Sequence, residues 1–316
     1  GEVTPDMTIV GENSRDQFGI SLASPGDFDG DGYDDLVVGA NVWNRTGAAY
    51  LFSGGPGFDD IPEAIFPGEE VVDNFGFSSS GVGDQNGDGL ADIMIGALYN
   101  DAGGWRSGRT YLYYGSATYD TVPDMIFTGL DSLDDFGVVI DGPFDFDADL
   151  NPDFCIGAVQ AGGYWYKPGE GYVFYGGTDL DTNPDRTFTG THPSEFFGNS
   201  LAALGDVNGD GYDDAVFAGY NHHEPPDSGV GRILLVLGAP WPGPVTLNRI
   251  GGRANQNLGG EVASAGDIDF DGLAEFAVSM TYSPDGDSAG FVEICGVESG
   301  TLAVDTSCWN PHPDAD

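Results

Sequence analysis

Five short segments concentrate carboxylates at a spacing suited to a hard cation. They run from Asp27 to Asp35, Asp84 to Asp92, Asp145 to Asp153, Asp206 to Asp214 and Asp267 to Glu275. Positions one, three, five and nine of the first are Asp27, Asp29, Asp31 and Asp35, and of the second Asp84, Asn86, Asp88 and Asp92. The third has Asp145, Asp147, Asp149 and Asp153, the fourth Asp206, Asn208, Asp210 and Asp214, the fifth Asp267, Asp269, Asp271 and Glu275. At position seven the main-chain carbonyls of Tyr33, Leu90, Asn151, Tyr212 and Leu273 can add a further oxygen. Calcium takes six to eight such oxygens, whereas magnesium keeps strict octahedral geometry and its water. Glycine at position six permits the turn, except in the third segment, which has Leu150. The segments are not EF-hands, because the bidentate Glu of such a loop would fall on Val38 in the first. Like charges this close repel without a cation, so about five structural calcium ions are expected, coupled to folding.

The elements that must position these loops recur with them. Each cluster begins nine residues after a Phe-Gly or Leu-Gly pair (Phe18, Phe75, Phe136, Phe197, Leu258), and successive clusters lie 57, 61, 61 and 61 residues apart. Short runs rich in Val, Ile, Tyr and Phe, bounded by Gly, Pro and Asp, read as strands. In the first repeat they are Phe18 to Ala23, Asp35 to Ala40, Gly47 to Phe52 and Ala64 to Phe66; the fourth returns as Met125 to Thr128 and Arg186 to Thr189. Tandem four-stranded units are propeller blades. The expected fold is therefore all-β, a β-propeller of five four-stranded blades over residues 1–300, with an extra strand and a linker-like tail over 301–316. The phrase that precedes each fourth strand also stands at Thr4-Pro5-Asp6, which makes Met7 to Gly11 an orphan fourth strand. It is expected to close the ring by completing the fifth blade, with Thr301 to Asp305 as the rival closing strand.

The Phe-Gly pair, the Asp-rich loop and the Gly-Ala that ends the second strand (Gly39-Ala40, Gly96-Ala97, Gly157-Ala158) resemble the FG-GAP repeat of integrin α-subunit propellers, from Met7 to about Val297. The Pro usual after Gly-Ala is replaced by Asn41, Leu98 and Val159, and the fourth and fifth repeats have Ala218-Gly219 and Ser279-Met280. Integrin propellers have seven blades and calcium loops in only some, so five repeats that all carry the loop match a compact prokaryotic relative better. The resemblance implies an adhesion-type module whose partners bind the face opposite the calcium loops.

That face is built from the loops joining second to third strands: Asn41 to Thr46, Leu98 to Ser107, Val159 to Glu170, Tyr220 to Val230 and Met280 to Ala289. Trp43, Arg45, Tyr99, Trp105, Arg106, Trp165, Tyr166, Lys167, His222 and Tyr282 lie there. Aromatics beside cations make binding anchors for a protein or a sugar ring; the alternative is that they pack their own loops. The pair His222-His223 resembles a metal site without a third ligand and reads as an exposed loop pair. Cys155, inside an apolar run, reads as core, while Cys295 and Cys308 are spaced for one disulfide.

Composition sets the outer bounds. The 316 residues carry 52 acids, nine bases and a formal charge of −43, with Lys167 the one lysine. Such a polyanion repels nucleic acid and anionic membrane surfaces, and no apolar run of about 18 residues could span a bilayer. No serine elbow, zinc-protease helix or Arg-Gly-Asp occurs, and with the carboxylates largely taken up by the Asp-rich loops no enzyme is expected. The expected function is a calcium-binding extracellular module that recognises a protein or glycan, secreted or on the cell surface. The alternatives are a spacer in a larger surface protein, which the Pro/Asp-rich end would suit, and a secreted hydrolase or lyase.

Overall fold

The computed structural model describes residues 7–162, 167–239, 245–252, 254–268, 270–281 and 290–297. It is all-β and of the β-propeller class, with five antiparallel sheets in succession. The first holds β1 (Leu22–Ala23), β2 (Leu36–Ala40), β3 (Ala48–Phe52) and β4 (Ala64–Pro67). The second holds β5 (Phe75–Gly83), β6 (Asp92–Ala97), β7 (Arg109–Tyr113) and β8 (Met125–Thr128). The third is β9 (Phe136–Phe144), β10 (Asp153–Ala158), β11 (Glu170–Phe174) and β12 (Arg186–Thr189). The fourth is β13 (Ser200–Ala203), β14 (Ala215–Gly219), β15 (Arg232–Leu237) and β16 (Val245–Ile250). The fifth has three strands among the described residues, β17 (Val262–Gly266), β18 (Glu275–Met280) and β19 (Phe291–Cys295). Trp43–Arg45 forms a 3-10 turn.

The second, third and fourth strands of the first repeat, and the fourth strands of the next two, fall within a residue of the sequence reading. The first strands do not: β1 covers two residues, whereas β5 and β9 run for nine. Met7 to Val10 is in no strand, although Ile9 packs beside Val38 and Tyr50. Thr301 to Asp305 and Cys308 lie outside the described residues, while Cys155 and Cys295 are both buried. The chain divides into two compact units, Gly1–Pro143 with Gly176–Asp185, and Phe144–Tyr175 with Arg186–Asp316.

Within the first unit, inner strands are buried on both faces, so they read as apolar runs rather than alternating ones. Val37, Leu51 and Phe66 of the first sheet share a core with Ile93, Ile95, Tyr111 and Tyr113 of the second. Val38, Tyr50 and Phe52 face the other way, with Phe18 packed against them. In the second unit Val216, Ile233 and Leu235 join Val262, Phe276 and Val278 in the same manner.

The Phe-Gly pair wedges one sheet against the preceding one. Phe75, 1% exposed, sits edge-on to Tyr111 and forms a parallel bridge with Gly47. Phe136, Phe197 and Leu258 repeat that bridge with Gly108, Gly169 and Gly231. Gly76 follows at a φ of +83°, where a Cβ would stand 2.1 Å from the Ala48 carbonyl oxygen. Gly39 explains the Gly-Ala: its Cβ would meet the Gly76 carbonyl oxygen at 2.0 Å. Removing the wedge leaves a cavity, so Phe75→Ala should lower unfolding free energy in urea by about 3–5 kcal/mol. Phe58→Ala, at a side chain 37% exposed, should cost under about 1 kcal/mol by the same assay.

Candidate metal centres

Each Asp-rich segment joins the first and second strands of its sheet, and its carboxylates wrap the turn around themselves. Asp27 Oδ1 accepts from the backbone N–H of Gly30 (2.7 Å) and Asp31 (3.0 Å), and its Oδ2 from Gly32 (2.9 Å). Asp84 does the same toward Gly87, Asp88 and Gly89, and Asp206 toward Gly209, Asp210 and Gly211. Asp145 and Asp267 hold the position-five and position-six N–H groups of their own loops. Position three then accepts from position five, through Asp29, Asn86, Asp147 and Asn208. Position five accepts from position seven, through Asp31, Asp88, Asp149, Asp210 and Asp271. The fifth loop's Asp269 lies outside the described residues.

This wrapping requires left-handed backbone at two places. Position six has it in all five loops, with Gly32 at +93°, Gly89 at +90°, Leu150 at +72°, Gly211 at +90° and Gly272 at +95°. Position four has it too, a need the sequence reading missed: Gly30, Gly87 and Gly209 are joined by Ala148 at +59° and Phe270 at +64°. Side chains with a Cβ pay roughly 1–2 kcal/mol there. Leu150 is 90% exposed and gains no packing in return.

Position nine plays a different part. Its oxygen accepts the position-two N–H in every loop: Phe28 to Asp35 (2.8 Å), Gln85 to Asp92 (2.7 Å), Phe146 to Asp153, Val207 to Asp214 and Ile268 to Glu275 (each 2.8 Å). The other oxygens of Asp35, Asp92 and Asp214 take the N–H of Gly54, Gly115 and Gly238, just beyond the third strand. Burial pushes Asp92 and Asp214 up to about 7, with their loop acids adding to the rise and those backbone N–H groups opposing it. Asp35 is raised for the same first reason. At Asp29 burial also pushes upward, but Tyr119 Oη at 2.6 Å, Ser53 Oγ at 2.8 Å and the Asp31 N–H outweigh it and lower the pKa.

The donor chemistry fits a hard divalent cation. One oxygen each from Asp27, Asp29 and Asp31 falls within 4.8 Å of the others, as do those of Asp145, Asp147 and Asp153. All are carboxylates, and the exposed loop leaves room for carbonyl and water oxygens. Neighbouring loops are joined: the position-eight N–H groups of Ala91, Asp213 and Ala274 donate to the position-one carbonyls of Asp27, Asp145 and Asp206. The third loop has Pro152 there, which has no N–H to give.

The opposite loops are less uniform. Arg106 forms an ion pair with Asp135 at 3.0 Å and lies 3.8 Å over the Tyr99 ring, so both brace their own loop. Trp43 Nε1 donates to Glu12 (2.9 Å), and Lys167 Nζ to the Gln160 carbonyl (3.0 Å). Arg45 is exposed, and Trp105 is 62% exposed. His222 is buried rather than exposed, in contrast to the expected loop pair. Trp165, Tyr166 and Tyr282 lie outside the described residues. Arg45, Trp105 and Lys167 occupy one equivalent position, since each carbonyl accepts the N–H of the following turn, at Val72, Leu133 and Ser194.

Successive blade-type sheets with an Asp loop between their first two strands define a repeat class, and the comparisons agree. The FG-GAP repeat signature matches residues 18–52 and 197–234. Integrin alpha-5 of Xenopus laevis is 31% identical over 233 residues, 71% of this chain and 21% of that protein. Integrin alpha-PS2 of Drosophila melanogaster is 31% identical over 174 residues, 49% of this chain and 12% of that protein. Human integrin alpha-6 is 30% identical over 162 residues, 49% and 14% respectively. The chain is an FG-GAP, integrin α-like domain that spans about a fifth or less of these relatives.

Two substitutions separate latch from ligand. Asp92→Ala strands two buried N–H groups and should cost about 2–4 kcal/mol in chelator as well as in calcium. Asp88→Ala, at an exposed position, should cost stability only when calcium is present. Leu150→Gly should raise stability by about 0.5–1 kcal/mol, since strain is relieved but the unfolded chain gains freedom. Urea melts of the three variants with calcium and with chelator read all of these effects.

Proposed function

We propose that the chain is a calcium-dependent, extracellular adhesion-type module without enzymatic activity. Five ions stabilise the blades, and the loops opposite them take a protein or carbohydrate ligand. The observation that supports the cation is the five-fold recurrence of one wrapped carboxylate loop, with all 18 acids at its positions one, three, five and nine. Calcium concentrations high enough to fill such loops, and salt enough to screen the remaining charge, are found outside cells. Similarity to integrin α subunits supports an adhesion role and a surface location.

Among the described residues of the ligand face, Trp105 is a large aromatic left to solvent, and Arg45 holds the equivalent place one repeat earlier. An exposed Trp with a neighbouring cation position is a binding anchor for a ring or a carboxylate. Tyr99, Trp43 and Arg106 serve as the braces that hold that surface. Among the described residues no helix is long and apolar enough to cross a membrane.

Arrays of extracellular proteins and glycans, probed with the calcium-loaded chain, test this reading. Binding should appear on a small set of features, vanish in chelator, and fall at least about tenfold with Trp105→Ala, as for an interface anchor. Binding that survives both chelator and the substitution, or no binding at all, would contradict the proposed module.

A further inference from the structure

The fourth repeat departs from the others on the side away from its Asp loop. Two residues before each Phe or Leu of the wedge stands a buried polar side chain: Asp16, Asp73, Asp134, Glu195 and Gln256. In the first four repeats it accepts the N–H three residues earlier, from Asn13, Glu70, Asp131 and His192; Gln256 takes that of Gly252. In the second repeat Asp73 is also satisfied by Asn100, whose Nδ2 donates at 2.6 Å. The fourth repeat places His222 where the second has Asn100, each three residues past its second strand. It also places His192 where the second has Glu70, and lengthens the acid to Glu195.

The result is a cluster of two imidazoles and a carboxylate, with His192 Nδ1 3.0 Å from the Thr191 hydroxyl. His222 is 2% exposed, and neither ring nitrogen makes a hydrogen bond of acceptable geometry. Its Nδ1 lies 3.2 Å from Glu195 Oε2, but out of line for a bond. The contact is an ion pair only when the ring is protonated, and such a buried pair must repay the cost of taking both groups out of water. The His192 ring meets that of His222 edge-on, with centroids 4.5 Å apart. One ligand atom from each of His192, Glu195 and His222 falls within 4.8 Å of the other two.

We propose that these three residues bind a transition-metal ion of the zinc class. Two imidazoles and one carboxylate suit zinc and not calcium, whose loops on this chain offer oxygen alone. Glu195 divides its work: Oε1 is held by Arg232 Nη1 at 3.0 Å, while Oε2 accepts the N–H groups of Thr191 (2.7 Å) and His192 (3.0 Å) and the Thr191 hydroxyl (3.2 Å) and lies 3.2 Å from His222 Nδ1. Glu224 Oε2 stands 3.8 Å from His222 Nε2. With the metal on Nδ1, that carboxylate would fix the tautomer of the ring, as outer partners of metal-bound His do. The fourth position is left for water or a residue of a binding partner.

The test keeps calcium saturating, so that the Asp loops are filled, and adds zinc or cobalt. Cobalt should give the intense visible absorption of a tetrahedral site, zinc should displace it, and one equivalent should bind per chain. His192→Ala should abolish this signal. His222→Asn restores the pairing seen between Asn100 and Asp73, so it should fold normally and bind no cobalt. Both variants should keep the wild-type melting temperature shift with calcium. Cobalt absorption that stays weak, or zinc binding unchanged in His192→Ala and His222→Asn, would overturn the proposal.

Discussion

The carboxylate at the ninth position of each Asp loop is the contact on which the rest depends. It is withdrawn from water and holds the second residue of its own loop at 2.7–2.8 Å in all five repeats. The other oxygen of Asp35, Asp92 and Asp214 takes the chain just after the third strand. One side chain thereby ties loop, second strand and third strand into one unit. It also places a buried carboxyl group beneath a turn already lined with acids. Carboxylate oxygens that lie within 4.8 Å of one another repel, and a divalent cation among them would offset that repulsion.

The two ends of each blade solve different problems. At the Asp-loop end, neighbouring loops are linked by backbone hydrogen bonds that depend on loop shape. At the other end the link is the Phe-Gly wedge, driven by apolar burial and indifferent to metal. The Gly-Ala that closes the second strand belongs to this end, because Gly39 leaves the space that the Gly76 carbonyl fills. A family signature written in both acids and glycines reflects this division.

Much of this was legible in the sequence, because the repeat multiplies weak signals. A lone Asp27-to-Asp35 loop could be a solvated turn, whereas five at one offset from Phe-Gly fix strands and loops together. The extent of the first strand was not legible, since pairing decides it: nine residues at Phe75–Gly83 and two at Leu22–Ala23. The left-handed residue at position four was hidden because Ala148 and Phe270 stand there. Of the aromatics and cations assigned to the ligand face, Tyr99, Arg106 and Trp43 prove to hold each other or Glu12. His192, Glu195 and His222 come from different loops, and only folding brings them together. The charge of −43 is likewise divided: 18 acids stand at positions one, three, five and nine of the loops, and 34 others face nine bases across the chain.

Thermal unfolding of the chain during a calcium titration tests the central claim most directly. Saturable binding of about five ions, with a melting temperature that rises as they bind, is the predicted result. A melting temperature that is the same in calcium and in chelator would contradict it.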